Sequence, residues 1–477
     1  MKISRLSIAL TVLALAALLA TGLPAVAQTG TWVSGIMIQN QSTTEDAEVT
    51  VQFFWAEGEA AAGQLAHEFT DTIPAGGSKG YWVPSIAGLP DNFVGSAVVS
   101  SNVPVVANVN TQVAAPGTEA EPNRVGTASG VLDPATTLYF TQVMRTPTWN
   151  SYIAVQNTSS EPASVTVRYY NDTDGNEAAS DTQSISAFST RIFRQGDYAS
   201  LPTNWGGSAV VTSDRPIAGI ANFYNEGVNK DTSQFHSYNA FSAGGTRLYV
   251  PRVVVNYYDY QSGIKVQNVG TAATDVTITY YFGGQSYTQV LADVQPGAAK
   301  AVYLANVPDL AALGRVDGAA IITSSGDVPI VATVNEDNRV GAAFPGHEGR
   351  GVTYNAFVDG AQTDTIFFSQ VTNRATGYTG GIQVQNVGTD TTTVTTVWSA
   401  PGKTTVTSQK QLAPNASVAW FAPQVISETG FNGSVTVTAD QPIVGIANGS
   451  YWQTIEPSDN WAPNVGDSFL TYNGVNR

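Results

Sequence analysis

The feature that most constrains this 477-residue chain is a sentence it repeats. Residues 263–271 read GIKVQNVGT and residues 381–389 read GIQVQNVGT, with more distant copies in GIMIQN (35–40) and YIAVQN (152–157). Each copy leads into a second shared stretch: AEVTVQFFW, ASVTVRYYN, TDVTITYYF and TTVTTVWSA. A third landmark follows, in which Pro104, Pro216, Pro329 and Pro442 each stand six residues before an Asn. Three landmarks in fixed order imply four tandem repeats of about 112 residues, each one packed unit.

Within a repeat the apolar period is two. Val165, Val167 and Tyr169 alternate with Thr166 and Arg168, and the matching inward sets are Val49, Val51, Phe53; Val276, Ile278, Tyr280; and Val394, Thr396, Trp398. Alternation in β-branched and aromatic residues marks a half-buried strand. Turn clusters such as NDTDGN (171–176), FGGQ (282–285) and QPGA (295–298) break these strands at hairpin spacing. Helical periodicity is confined to VPDLAALGRV (307–316), which allows one short turn. The expected fold is all-β: four tandem antiparallel β-sandwiches of immunoglobulin or fibronectin III type, over 28–136, 137–246, 247–364 and 365–477. In this reading Ile264 and Val266 fill a core while Lys265 and Gln267 face water. Asn40, Asn157, Asn268 and Asn386 close the strand by bonding nearby backbone.

The first 27 residues read as an export leader. MKISR is cationic, LSIALTVLALAALLATGL is apolar, and Ala25 and Ala27 are small residues placed for cleavage. An uncleaved membrane anchor is the competing reading. Cleavage leaves 477 − 27 = 450 residues and removes Lys2 and Arg5, so 21 basic residues become 19 against 37 acidic ones, a charge of −18. Such a chain repels nucleic acid and anionic lipid. There are no cysteines, which excludes disulfides and thiolate metal sites.

VQNVGTAATDVTITYYFGG (266–284) followed by VQPGAAKAVYL (294–304) resembles the immunoglobulin-like repeats of bacterial surface proteins, most nearly the cell-adhesion-related CARDB-type sandwiches. The resemblance covers the first half of each repeat, and GSAVVTSDRPIAGIAN (207–222) departs from it. It implies a secreted sandwich protein used in adhesion or surface architecture.

Residues that could carry chemistry are few. His67, His236 and His347 stand at non-equivalent places, without a second ligand at metal spacing, and read as solvated loop residues. GTASG (126–130) has its serine one place late for a nucleophile elbow. NDTDGNE (171–177) offers clustered oxygens for calcium, but its Asp-Gly step favours a hairpin turn. No metal, cofactor or catalytic residue is assigned. Trp32, Trp149, Tyr260 and Tyr378 are more informative, each four residues before the first strand isoleucine or its equivalent. A ring there is either a lid over the sandwich core or a stacking platform for sugars.

The reading is therefore a secreted, non-catalytic structural or interaction protein of the cell surface or matrix, shaped as a rod of four sandwiches. Its expected partners are other surface proteins, itself or extracellular glycans. A carbohydrate-binding adhesin is the alternative. The segments 111–129 and 453–469 stand outside the repeat pattern and are candidate recognition loops. Between repeats lie LYFTQV (138–143), LYVPRV (248–253) and IFFSQV (366–371), three copies of one strand for four units. One terminal unit is expected to be a strand short and to present an open sheet edge, for self-association edge to edge or for a separate partner's strand.

Overall fold

The computed structural model describes residues 32–113, 122–225, 233–338, 349–451 and 466–477, together with the backbone pairing of residues 11–20. It is 65% strand and 4% helix, with antiparallel sheets throughout, so the all-β class stands. Four large hydrophobic clusters form, each drawn from one repeat, save that Val387, Val444 and Ile446 of the fourth pack against the third.

The third repeat shows the plan. Its strands are β1 Arg247–Val255, β2 Tyr260–Asn268, β3 Thr274–Phe282, β4 Gln285–Val294, β5 Ala299–Tyr303, β6 Val316–Ser324, β7 Ile330–Asn338, β8 Gly351–Asn355 and β9 Phe357–Val358. One sheet has the order β4-β3-β6-β1-β9 and the other β5-β2-β7-β8. The inward residues of β3 (Val276, Ile278, Tyr280) and of β2 (Ile264, Val266) meet in the core between the sheets. The order separates β6 from β7, whereas the immunoglobulin constant fold keeps its strands F and G side by side. The expected helical turn is the four-residue Pro308–Ala311.

The interdomain strand opens the unit that follows it. LYFTQV lies in Ala135–Arg145, which pairs with Trp205–Asn225; LYVPRV is β1 of the third unit; IFFSQV lies in Thr363–Asn373, which pairs with Phe431–Tyr451. Pro251 and Arg252 fall in a bulge of that strand, where a missing N–H breaks no ladder bond.

The units do not form a rod. The β1/β6 face of each packs on the β2/β5/β7 sheet of the next, and the fourth unit packs back on the first. Thr141 meets Thr333 at 2.6 Å between units two and three, and Arg252 Nη1 donates to Gln383 Oε1 at 2.9 Å between three and four. Between four and one, Ser369 Oγ donates to Asn108 Oδ1 and Asn110 Nδ2 to Gln370 Oε1, both at 2.8 Å. Glu57 N donates to Thr190 O at 2.8 Å between one and two. A head-to-tail contact that returns from the fourth unit to the first closes a ring.

The β8 strand of the third unit and its counterparts Val125–Ser129, Phe235–Asn239 and Leu470–Asn473 meet at the centre of that ring. Asn239 Nδ2 donates to Ser129 O (2.7 Å), Asn355 Nδ2 to Asn239 O (2.8 Å), and Asn473 Nδ2 to Asn355 O (2.7 Å). Ser129 Oγ then donates to Asn473 O at 3.3 Å and completes the circle. The Asn six residues after each proline belongs to the next layer out. Asn110, Asn222, Asn335 and Asn448 each accept a bond from a β8 hydroxyl, of Thr127, Ser237, Thr353 and Thr471 respectively.

Candidate binding cleft between the third and fourth units

The strand-closing asparagines behave alike. Asn268 Nδ2 donates to Ala272 O and Val294 O at 2.8 Å, while its Oδ1 accepts from Gly270 N at 2.8 Å. Asn40, Asn157 and Asn386 make the same three-way tie in their own units. An amide serves because it donates and accepts at one place.

The outward assignment of Lys265 and Gln267 is corrected. Lys265 is 7% exposed, and Gln39, Gln156, Gln267 and Gln385 are fully buried. Their face of the sheet is covered by the preceding unit, so both faces of β2 are dry. Lys265 Nζ reaches across that interface to Asp172 Oδ2 at 2.7 Å and to Gly207 O at 3.2 Å. Asp172 is thereby engaged in an ion pair, and Asp174 caps the Asn176 amide at 3.0 Å within the turn. Burial raises the Asp172 pKa, and Lys265 opposes the shift.

His236 is also corrected, for it is 2% exposed on a β8 strand. It lies 2.9 Å from Thr353 Oγ1 and stacks on Phe223 at 4.4 Å. His347, the leader cleavage site, residues 114–121 of the first candidate loop and residues 453–465 of the second lie outside the described residues. Among the described residues no cluster of metal-ligating side chains occurs, and no helix is long and apolar enough to cross a membrane.

Two of the four repeat-equivalent aromatics meet a ring of a neighbouring unit, and two meet rings of their own. Trp32 is 2% exposed and packs on Phe235 of the second unit at 4.8 Å. Tyr260 is 7% exposed and meets Phe469 of the fourth unit at 5.1 Å. Trp149 and Tyr378 are half-buried, against Phe223 and His236 and against Tyr451. Trp32 and Tyr260 are too covered to stack a sugar, while Trp149 and Tyr378 keep part of their surface. Trp32 and Tyr260 seal joints between units rather than ends of their own cores, because Phe235 of the second unit and Phe469 of the fourth lie against them.

One joint is left partly open. Between the third and fourth units lies a cleft of about 590 Å³, within the ~300–1,000 Å³ range of small-ligand sites. Its fixed polar centre is Arg252. The guanidinium grips Glu336 through Nε and Nη2 (2.8 and 3.0 Å) and Asp317 through Nη1 (2.8 Å). Burial works against its charge, but the two carboxylates outweigh that and hold its pKa above the ordinary value. Tyr257, Tyr258 and Phe469 line the apolar side. Tyr258 is 41% exposed, and Arg315 lies 3.4 Å over its ring. Asn256, Tyr258 and Asp259 all have positive φ (48°, 52° and 64°), strained values for residues other than glycine. Flat apolar rings beside anchored acceptors suit a polyhydroxylated ring, which presents C–H faces and hydroxyl edges together.

The sequence reading reached Tyr260 and missed the rest. The available signal was Arg252, which replaces Gln142 and Gln370 at the matching place of the other two strand copies. The NYYD loop (256–259) is likewise replaced by RATG (374–377) in the fourth unit.

No family model matches this chain, and none of the curated proteins does. Among solved structures, Thermotoga maritima 1070 is similar over 23% of this chain and 94% of its own, at 13% identity and a TM-score of 0.20. The Anabaena sensory rhodopsin transducer covers 18% of this chain and 93% of its own, at 20% identity and a TM-score of 0.17. A tetra-tandem repeat from the extending region of a large adhesion protein aligns over 98% of this chain and 99% of its own, at 13% identity and a TM-score of 0.10. Likenesses of this size assign neither family nor function. None of them names the CARDB type.

Proposed function

We propose that the chain is an exported, non-catalytic interaction protein of the cell surface or extracellular matrix, built of four sandwich domains closed into a ring. The observation that carries this reading is the use made of the repeated polar residues. The strand-closing asparagines tie their own turns, and the asparagines six residues after each proline bind the β8 hydroxyls around the axis. Repeated polarity is spent on holding a shape, which is what a scaffold requires. Protease shaving of intact producing cells tests it: the chain should be released with the surface fraction, and full retention inside the cells overturns the reading.

The cleft favours a second, compatible reading, in which the ring binds a glycan between its third and fourth units. Asp317, with its side chain 23% exposed, supplies anchored acceptors, and Tyr258, 41% exposed, keeps the ring surface that Arg315 does not cover. A glycan array probed with the exported chain should show ligands whose binding falls at least tenfold in Tyr258→Ala and Asp317→Asn. Binding unchanged in both variants removes the cleft from the account.

A further inference from the structure

The first unit has no strand of its own for the β1 place. In the other units that place is filled by Ala135–Arg145, Arg247–Val255 and Thr363–Asn373, each antiparallel to β6. In the first unit it is filled by Thr11–Ala20, within the apolar run of the export leader. The register is homologous at first: Leu13 stands opposite Val99 and Leu15 opposite Ala97, as Leu138 stands opposite Val211 and Phe140 opposite Ala209. It then departs. The other strands bulge over three residues (Phe140 to Val143, Val250 to Val253, Phe368 to Val371), and the leader takes four, from Leu15 to Leu19. The leader segment fills the slot without matching it.

We propose that removal of the leader after Ala27 opens this slot and makes it the docking site for an extended strand of another polypeptide. The exposed β6 strand Val94–Ser101 then presents an unpaired edge beside an apolar groove, the arrangement that strand addition uses. The three internal strands define the occupant. Leu138, Phe140 and Val143, Leu248, Val250 and Val253, and Ile366, Phe368 and Val371 are all buried, giving the pattern Φ-x-Φ-x-x-Φ with Φ apolar. The residue after the second Φ faces the next unit. It is Thr141 against Thr333 and Ser369 against Asn108, polar on polar. Pro251 holds the same place in the third unit, where Ile446 joins the third core. In the first unit the matching partner is Ile220 of the second unit, 4% exposed. The occupant is therefore apolar at that place too. The copies at 138–143, 248–253 and 366–371 are each paired within their own unit and are not free to donate. The occupant is thus a partner protein's strand, and the proposal rests on the export reading, because the slot opens only when the leader is removed.

The test uses the chain purified after export, with its N-terminus sequenced. The probe is a peptide of residues 136–145 carrying Thr141→Val. It should bind one-to-one and raise the melting midpoint by several degrees, while a peptide with Asp at the three Φ places binds at least 100-fold more weakly. The chain lacks cysteine, so Ser100→Cys paired with Thr137→Cys in the peptide should trap one disulfide in the register Thr212 and Thr137 show in the second unit. Fusing the strand ahead of Gln28 should fill the slot and abolish peptide binding. An exported chain that retains residues 11–20, equal binding of the Asp peptide, or no trapped disulfide overturns the proposal. None of these outcomes depends on glycan binding or on cell-surface release.

Discussion

Replacing Lys265 with Met separates the two descriptions of its face most sharply. If Lys265 faced water, the change would shift stability by no more than about 0.5 kcal/mol, as surface substitutions do. In the structure it removes one partner of a buried ion pair across the joint of units two and three, a loss of about 3–5 kcal/mol when both partners are dry. Asp172 keeps 30% side-chain exposure and regains some water, which places the expectation at the lower end, about 3 kcal/mol. Asp172→Asn should cost about 2 kcal/mol, since Gly207 O still accepts from the ammonium. The double variant should cost clearly less than the sum of the two, because each residue is harmful chiefly when left alone. The assay is urea unfolding of the purified chain followed by tryptophan fluorescence, with Trp205 in the adjoining unit as a reporter. Glu177→Gln is the control, since Arg168 and Glu177 form an exposed pair 41% and 42% accessible. A Lys265→Met effect no larger than that control would refute the packing of one unit on the next.

Asn268→Ala should destabilise the third unit by about 2–3 kcal/mol in the same assay, leaving buried Val294 O without its donor, and Asn268→Asp should fare no better because a carboxylate cannot donate. Small-angle scattering should give a radius of gyration near the ~22 Å of a compact 450-residue body, whereas four units end to end would give about 40 Å. Asn355→Ala, which removes a donor from the axial circle, should expand that radius or lower the melting midpoint; neither change would deny the circle a role. Burial raises the pKa of Asp467 well above 3.8, against opposition from the Phe235, Phe469 and Gly351 amides and from Arg350. The folded state then holds a proton that the unfolded state has released, so this group's contribution to stability falls as pH rises above 3.8. Melts from pH 4 to 8 should show a weaker decline in Asp467→Asn than in the parent, and an identical profile would contradict the assignment.

The sequence by itself determined what is local. Period-two alternation placed Val276, Ile278 and Tyr280 on one face, and all three are fully buried. The recurring Asn closes a turn with atoms a few residues away, so its role could be read from its place at the end of a strand. Alternation also says that a strand has two faces, but not that the second is wet. That depends on what another unit lays over it, through contacts such as Thr141 with Thr333, 192 residues apart. Lys265, Gln267 and His236 therefore look like surface residues in sequence and are buried in the ring. The same reason hid the axial circle, whose four members Ser129, Asn239, Asn355 and Asn473 become neighbours only when the fourth unit returns to the first. The cleft at Arg252 was hidden too, since it exists only where two units fail to close completely. Repetition is written in the chain, but the closure of four repeats is a property of the angle at which each packs on the next, and only the tertiary structure fixes that angle.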